Sequence, residues 1–374
     1  MMGDDFRLAS LIRLQTAFPI GSRVAYRIYN AAKDANISCS DAETLYKNGS
    51  ITPKQRSAIE AVGADKVSRI LNDCKRSQIR PICIDDGDYP ECLRNIDVPP
   101  LVLYIKGEMP DSEAVPHFCI VGPRKVSKFG QRSAYALGKR LAAAGFVIVS
   151  GAATGSDTYA HIGAMDAGGK TVAFLGCGIN YDYLPQNRNL RERISKNGCL
   201  ISEHPPYAST TKYSFPVRNR LLAGLSLGVA VVEAKNRSGS LITARYANEQ
   251  GKDVFVIPGN PTDPNYKGSN ALLRDGAIPL IDAGDIFTAY IPLFPDKIDL
   301  EKAYAVKEEK RKKEKIGLSK EAEMVYNSLN KQKFTADDLA GTGIDIDVLL
   351  PVLTELEMKH LIRTLPGGYY EVCR

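Results

Sequence analysis

The sequence predicts an α/β protein: a doubly wound, Rossmann-like core sheet with a small helical domain before it and a winged helix after it. Two observations lead to the core. From residue 118 onward, short apolar runs rich in β-branched residues alternate with helical stretches, which is the pattern of parallel strands joined by crossover helices. Several of these runs end on glycine or glutamate, and in such sheets the loops that follow the strand ends form the binding face.

The first 78 residues predict a bundle of short helices. Apolar residues recur at helical spacing from Leu8 to Leu14, from Val24 to Ala32 and from Asp41 to Tyr46. Thr52-Pro53 has the chemistry of an N-cap followed by the first helical position. We therefore expect a separate helical domain over residues 1–78.

Residues 79–292 are expected to form the Rossmann-like domain. Two strands are predicted at 79–84 and 100–105, with aspartate-rich turn chemistry between them. The core strands are predicted at 118–121, 146–149, 171–175, 199–202, 228–232, 254–257 and 278–281, with helices such as 130–144 and 241–249 between them.

The last part of the chain predicts a linker and a third domain. Residues 293–316 are expected to be a charged linker, because 307–315 is a run of nine consecutive charged residues, six of them basic. Residues 317–374 resume helical apolar spacing and end in a predicted hairpin at 361–372. Three helices and a hairpin of this size describe a winged helix. Pro351 falls inside the third helix, where it predicts a kink or a late start.

Composition excludes several classes of protein. The chain has 374 residues, 44% of them apolar and 25% charged, and a net charge of +6, which is compatible with a polyanionic partner. No apolar run approaches the roughly 18 residues of a membrane span, and the acidic N-terminus lacks signal-peptide character, so we expect a cytoplasmic protein without a membrane partner. The eight scattered cysteines are expected to be small buried side chains, with neither a metal site nor a disulfide.

The stretch 212–220, Lys-Tyr-Ser-Phe-Pro-Val-Arg-Asn-Arg, is the most informative part of the chain. It places Lys212, Arg218 and Arg220 around an aromatic ring, Phe215, in what we expect to be a loop. A hydrated charge run is the ordinary interpretation of such a cluster. We favour a functional one, because an exposed ring between cations is what a base-stacking platform for a single strand needs.

Two further segments are expected at the same edge of the sheet. Gly122 and Arg124 follow the first core strand, where glycine permits close backbone approach and arginine can pair with a phosphate. A plain strand-to-helix turn would use the same residues. Ser238, Gly239 and Ser240 open a helix and present amides and hydroxyls as an anion nest, although a plain N-cap has the same composition.

Catalytic and cofactor motifs are incomplete. The segment 168–171 ends like a P-loop, but Ala164 stands where the first glycine belongs and the segment precedes a strand. The segment 176–178 lacks the third glycine of a dinucleotide fingerprint. The four histidines fall in no triad or ligand spacing. We therefore expect no catalytic residues, no cofactor and no metal.

Two glutamates at strand ends leave one question open. Glu203 and Glu233 could form a carboxylate pair for acid–base chemistry. They could also hold Arg218 or Arg220 in place as buried ion partners, which is the interpretation that we prefer.

A set of short motifs follows in a fixed order between residues 120 and 259. They are Ile-Val-Gly-x-Arg at 120–124, Val-Ser-Gly-x-Ala-x-Gly-x-Asp at 149–157, Ala-His-x-Gly-Ala at 160–164, Leu-Gly-Cys-Gly at 175–178, Ser-Glu-x-Pro at 202–205, Phe-Pro-x-Arg-Asn-Arg at 215–220, Ser-Gly-Ser-Leu-Ile-Thr-Ala at 238–244 and Pro-Gly at 258–259. Through them the chain closely resembles the DNA processing protein A family, DprA or Smf. The front helices, which are SAM-like in many members, and the winged helix are also similar to long members of that family.

The resemblance implies a non-enzymatic recombination mediator of natural transformation. Such a protein binds and protects incoming single-stranded DNA, helps to load the RecA recombinase and works as a homodimer. The DNA-binding residues expected from the motifs are Gly122, Arg124, Lys212, Phe215, Arg218, Asn219, Arg220, Ser238, Gly239 and Ser240. The dimer contact is expected near Asn270, Leu273 and Ile278.

Two residues depart from the family pattern. Pro123 replaces the usual serine of Gly-Ser-Arg, which removes a hydroxyl and a backbone N–H from the phosphate turn. Thr154 replaces a usual arginine and so removes a cation. Both departures predict a weaker hold on phosphate, so the loop at 212–220 is expected to carry more of the binding.

Two alternatives differ in class from a single-strand binder. Similar folds include phosphoribohydrolases that act on nucleoside monophosphates, and that function requires a catalytic carboxylate, for which Glu233 is the best candidate. A third hypothesis makes the winged helix the main site, with duplex DNA or a protein as its target.

Overall fold

The computed structural model describes residues 2–305, 319–329, 333–342, 346–358, 361–365 and 367–372. The chain forms two compact units, residues 1–306 and residues 307–374, and each is described by itself. Within the described ranges, no helix is both long enough and apolar enough to cross a membrane.

The first unit is a mixture of helices and short strands. Its helices are α1 (Met2–Ala17), α2 (Arg23–Asp34), α3 (Ala42–Lys47), α4 (Pro53–Glu60), α5 (Ala64–Arg76), α6 (Glu91–Arg94), α7 (Lys128–Ala143), α8 (Ser156–Asp166), α9 (Arg188–Asn197), α10 (Ser214–Leu225), α11 (Gly239–Glu249), α12 (Lys267–Arg274), α13 (Ala283–Tyr290) and α14 (Leu300–Ala305). Its strands are β1 (Arg80–Cys83), β2 (Val102–Gly107), β3 (His117–Val121), β4 (Val147–Ser150), β5 (Thr171–Leu175), β6 (Cys199–Ser202), β7 (Gly228–Val231), β8 (Asp253–Val256) and β9 (Ile278–Pro279).

The strands form one sheet in the order β1-β2-β6-β5-β4-β3-β7-β8-β9. Strand pairs from β6 to β9 are parallel, whereas β1 and β2 pair antiparallel at one edge. The predicted doubly wound sheet is therefore confirmed. The chain runs outward from β3 to β6 and then restarts beside β3 with β7, so β3 and β7 mark the switch point at which such sheets bind their ligands.

Both faces of the sheet are covered, which explains the continuous apolar character of its strands. Along β3, Phe118 and Ile120 pack in one cluster with α7, α8 and α13, and Cys119 and Val121 pack in another with α10 and α11. This alternation follows from the two-residue period of a strand. The two-sided core fixes the loops at the switch point to a rigid support.

The front helices share a continuous core with the sheet. The Gln15 amide of α1 donates hydrogen bonds to the carbonyls of Val102 and Glu203, each at 2.9 Å. The predicted cap at Thr52 is confirmed, since its side chain forms a capping box with Gln55. Helix α5 was not predicted, although its buried residues stand at helical spacing. The domain boundary at residue 78 stays a prediction.

The second unit contains α15 (Lys320–Ser328), a short 3-10 helix (Asp337–Thr342), α16 (Ile346–Met358) and the strands β10 (Lys333–Thr335), β11 (Ile362–Leu365) and β12 (Tyr369–Val372). The hairpin β11–β12 confirms the predicted wing, and β10 adds a third strand to it. The middle helix is a 3-10 helix. Of the two outcomes expected at Pro351, the late start was wrong, because α16 already includes the residues before it; the kink stays a prediction.

Parts of the sequence predictions lie outside the described residues. These are the charge run at 307–315, His360 and Cys373. Of the other cysteines, Cys92 is half-buried and the rest are buried without a disulfide, so their interpretation as small apolar side chains is confirmed. Burial raises the pKa of the Cys177 thiol to about 11, which leaves it an unreactive thiol at neutral pH.

Candidate functional site

A pocket of about 340 Å³ opens beyond the ends of β3 and β7, and we call it the switch-point pocket. Loops after β3, β4 and β7, together with α10 and the start of α11, line it. Asp157 is the one carboxylate among the described lining residues. The lining cations are Arg124, Lys125, Arg218, Lys235 and Arg237. This excess of positive charge favours an anionic ligand.

The loop after β3 contributes Gly122, Pro123 and Arg124. A Cβ at Gly122 would lie 2.3 Å from the Ser156 hydroxyl oxygen, so this glycine is required by packing against α8. The Pro123 carbonyl accepts a hydrogen bond from the Ser156 amide at 3.3 Å. Both contacts fix the loop on the helix behind it, and Arg124, whose side chain is exposed, extends from that fixed loop.

Phe215 is half-buried and lines the pocket beneath the guanidinium of Arg124. Its ring rests on Gly176, where a Cβ would come within 2.8 Å of the ring. The Phe215 and Tyr183 ring centroids are 4.8 Å apart. The Arg124 Cζ lies 4.9 Å from the Phe215 centroid, and Arg124 Nη1 donates to the Tyr183 hydroxyl at 2.9 Å. Two rings and a cation therefore form one closed cluster.

The segment 214–220 is the first part of α10, so the expectation of a loop was wrong for these residues. The expectation overlooked that proline is tolerated in the first turn of a helix, where Pro216 lies. Lys212 remains outside the helix and is exposed. Its Nζ lies 4.9 Å from the Tyr213 ring centroid, and it is not among the residues that line the switch-point pocket.

Arg218 lines the pocket, but its guanidinium donates hydrogen bonds to backbone carbonyls of the fold. The buried Arg218 Nη1 donates to the Gly151 carbonyl at 3.1 Å and to the Phe174 carbonyl, at the ends of β4 and β5. Burial raises the pKa of Asp157, and the neighbouring Arg218 opposes that rise. The expected phosphate contact from Arg218 is therefore revised: this side chain closes the floor of the pocket.

Arg220 does not reach the switch-point pocket. Its Nη2 lies 2.7 Å from the Glu203 carboxylate, and both side chains are 6% exposed. Residues two apart on a helix point to nearly opposite sides, so α10 cannot present Arg218 and Arg220 to one ligand. The expected DNA contact of Arg220 is corrected, and the preferred interpretation of Glu203 as its buried ion partner is confirmed.

The N-terminus of α11 forms the wall opposite the β3 loop. Ser238 is the N-cap, and its hydroxyl accepts from the Ser240 amide at 3.4 Å. Asn219 joins α10 to this wall, since its amide donates to the Gly239 carbonyl at 3.3 Å. A Cβ at Gly239 would meet nothing within 4 Å. The helix terminus therefore has open space at Gly239, and its dipole attracts negative charge.

Glu233 is buried and engaged in the fold. Its carboxylate accepts from the Ser127 amide at 3.1 Å and the Ser127 hydroxyl at 2.6 Å, and the Tyr266 hydroxyl lies 3.4 Å away. The residue does not line the switch-point pocket. Its expected alternative roles, as a catalytic base or as a partner of an arginine, therefore have no geometric support.

His161, part of the Ala-His motif, has a structural environment. Its Nε2 accepts from the Ala152 amide at 3.3 Å, so its Nδ1 carries the proton and donates to the Thr171 hydroxyl at 2.7 Å. Burial, aided by the cation of Arg218, lowers the pKa of His161 to about 3. The ring is therefore neutral and fixed, without a free nitrogen for catalysis.

Sequence reasoning missed four residues of the site. Lys125, Lys235 and Arg237 line the pocket, and Tyr183 contacts Phe215. The three cations lie beside motif residues that were selected, so their position in the same loops was the available signal. Tyr183 had no such signal, because its contact with Phe215 joins two segments far apart in the chain.

The assembled groups suit a polyanion that carries flat rings. Exposed cations and an open helix N-terminus can bind phosphate, and an aromatic ring in the lining can stack a base. The described residues that line the pocket include no pair with the geometry of a nucleophile and its base.

The model of the DNA recombination-mediator protein A family matches residues 80–291, and the model of the DprA winged helix domain matches residues 309–368. The DNA processing protein DprA of Bacillus subtilis (strain 168) is 39% identical over 222 residues, which cover 59% of this chain and 75% of that protein.

Two solved structures are similar as well. The structure of DNA processing protein A from Streptococcus pneumoniae is 30% identical in sequence and has a TM-score of 0.67. The match covers 75% of this chain and 97% of the Streptococcus pneumoniae chain. The other, from Helicobacter pylori, was determined to explain its unique single-stranded DNA binding mode. It is 28% identical in sequence and has a TM-score of 0.52, and the match covers 57% of this chain and 96% of the Helicobacter pylori chain.

Proposed function

The chain belongs to the DNA recombination-mediator protein A family, and we propose that it binds single-stranded DNA without sequence preference in the switch-point pocket. The observation that carries the proposal is an aromatic ring, Phe215, in the lining of a pocket that holds five cations and one carboxylate. The single-stranded DNA binding mode described for the Helicobacter pylori relative supports it.

The proposed binding mode divides the work between two kinds of contact. Arg124, Lys235 and Arg237 are exposed and bind the phosphates, and the N-terminus of α11 binds a further phosphate through its amides. The ring of Phe215 stacks a base, a contact that tolerates any sequence. Lys212 lies three residues before Phe215 in the sequence. In the proposed mode it contacts the strand where the strand leaves the pocket. None of these steps makes or breaks a covalent bond, so the proposed role is not enzymatic.

Anisotropy titration of labelled oligothymidylate tests this proposal. The three pocket cations Arg124, Lys235 and Arg237 by themselves predict a slope of log K against log salt near −2, since each neutralised phosphate contributes about 0.7 on a single strand. Affinity is then expected to fall about 20-fold for a fourfold increase in salt. A duplex of equal length serves as the comparison and is expected to bind more weakly. Absent binding, or binding that does not change with salt, would contradict the proposal.

Family membership extends the proposal to a role in the cytoplasm, where the chain protects strands that enter during natural transformation and hands them to RecA. The measurement for this step is RecA filament formation on strands coated with a single-strand-binding protein. The chain is expected to accelerate it, and an unchanged rate would remove the RecA step while leaving strand binding intact.

A homodimer is also part of the proposal, and its contact is the edge strand β9. Ile278 is 38% exposed and Ile281 beside it is 77% exposed, and β9 pairs with β8 on one side. Of the other residues expected in this contact, Leu273 packs against the core, and Asn270 bonds the backbone of Gly259. An exposed apolar strand edge favours association.

Light scattering of the I278D/I281D variant tests the dimer. We expect the wild type to have twice the chain mass and the variant to have the mass of one chain, because charged side chains would be desolvated in the contact. Leu293, 64% exposed, provides the control L293D, which should remain dimeric. A dimeric I278D/I281D variant would place the contact elsewhere.

A further inference from the structure

The rings of Phe215 and Tyr183 pack against each other. Their centroids are 4.8 Å apart and their planes differ by 37°, so the rings touch and leave no slot between them for a base. A base can therefore reach each ring only where the other ring does not cover it. The Arg124 guanidinium lies near both rings, 4.9 Å from the Phe215 centroid and 5.9 Å from the Tyr183 centroid.

The position of Tyr183 is fixed by its backbone. Arg191, almost buried in α9, donates from Nη1 to the Tyr183 carbonyl at 2.5 Å and to the Leu184 carbonyl at 3.3 Å. Leu184 has a φ of +55°, a conformation that a leucine keeps only when its surroundings hold it. The buried Asn187 anchors the far end of the same loop by donating to the Ala152 carbonyl at 3.1 Å. The ring of Tyr183 is therefore presented by a preorganised loop.

We propose that Tyr183 is a second base-stacking residue, and that Arg124 covers the Tyr183–Phe215 surface in the free protein and leaves it when a base arrives. This inference rests on the proposed single-strand binding and adds a residue and a movement to it. Base stacking on aromatic rings is stronger than an exposed cation–ring contact. The displaced guanidinium is then free to pair with the phosphate that accompanies the base.

The same geometry assigns a separate role to the Tyr183 hydroxyl. It accepts the hydrogen bond of Arg124 at 2.9 Å, so it holds the guanidinium in its resting position and makes no contact that the stacked base needs. Ring and hydroxyl can therefore be separated by mutation. Y183F keeps the ring, whereas Y183L keeps apolar bulk without a ring.

The experiment measures the affinity of the full-length protein for oligothymidylate that carries one 2-aminopurine, whose fluorescence reports stacking. Y183L is expected to bind about 5- to 150-fold more weakly than wild type, with a smaller fluorescence change and an unaltered salt slope, since stacking releases no counterions. Y183F is expected to bind as tightly as wild type or a few-fold more tightly. The control is Y207A, because Tyr207 is 58% exposed outside the pocket.

The outcomes separate this inference from the function on which it rests. If the wild type does not bind the oligonucleotide, the proposed function fails. If the wild type binds and Y183L matches it in affinity and fluorescence change, only the role of Tyr183 is refuted. A Y183F variant as weak as Y183L would also refute it, because the hydroxyl and not the ring would then matter. Thermal unfolding of Y183L should remain close to that of wild type.

Discussion

R220M is expected to destabilise the first unit by about 3 to 5 kcal/mol, which is the usual effect of removing one partner of a buried ion pair. Arg220 and Glu203 are each 6% exposed and lie 2.7 Å apart. Loss of the guanidinium leaves a buried carboxylate without its counterion. The Oε2 atom of Glu203 already has no hydrogen-bond partner among the described protein groups, so the loss of Arg220 removes the hydrogen bond of the other oxygen as well. Urea denaturation monitored by circular dichroism measures this loss.

Two further variants isolate the cause. The E203L/R220M double variant removes both charges and should recover most of the lost stability, because apolar replacement of a buried pair is often close to neutral. The Arg23–Asp97 pair, exposed at 70% on both sides, provides the control R23M, for which about 0 to 1 kcal/mol is expected. If R220M is as stable as wild type but has lost affinity for single strands, Arg220 is a DNA contact and the structural assignment is wrong.

R124E/R237E is expected to abolish most single-strand binding while leaving the fold stable. Both side chains are exposed at the switch-point pocket. A hydrogen bond to a charged group contributes about 1.5 to 3 kcal/mol, so the double variant should lose on the order of 100-fold in affinity or more. Its salt slope should become shallower by about 1.4, which corresponds to two lost contacts. Anisotropy titration at several salt concentrations measures both quantities.

A matched control separates the local effect from net charge. K54E/R69E makes the same change in net charge on exposed residues of α4 and α5. This control is expected to keep the wild-type salt slope, with only a small loss of affinity from the long-range field. Equal losses in the two double variants would mean that the chain attracts DNA through its overall charge, without a defined site at the pocket.

The fold followed from the sequence because its signals are local. A buried parallel strand is a continuous apolar run, and the strands predicted from 118 to 281 each overlap an observed strand. Helix α5 and the 3-10 helix of the second unit were not predicted, for two different reasons. The apolar spacing of α5 was present and was not used, whereas a six-residue 3-10 helix is too short for its periodicity to distinguish it from an α-helix.

Only part of the site was predicted, because sequence motifs indicate which loops form it but not the direction in which each side chain points. Arg124, Phe215 and Ser238 to Ser240 meet at one pocket, since each lies near a strand end at one edge of the sheet. The spacing of Arg218 and Arg220 seemed to offer two cations to one ligand. On α10 the same spacing sends Arg220 to the opposite side, toward Glu203. That direction depends on where the helix begins.

Tyr183 marks the limit of sequence reasoning at this site. Its contact with Phe215 depends on the Arg191 anchor and on the left-handed conformation of Leu184. Such long-range contacts carry no periodic or motif signal, so only the three-dimensional arrangement reveals them.

The central claim, that a single strand binds in the switch-point pocket, is tested most directly by a structure of the full chain bound to oligothymidylate. We predict a base against Phe215 and Tyr183, the Arg124 guanidinium displaced from both rings, and a phosphate at the N-terminus of α11. A strand that lies on the second unit, or across the first unit without entering the pocket, would contradict the account.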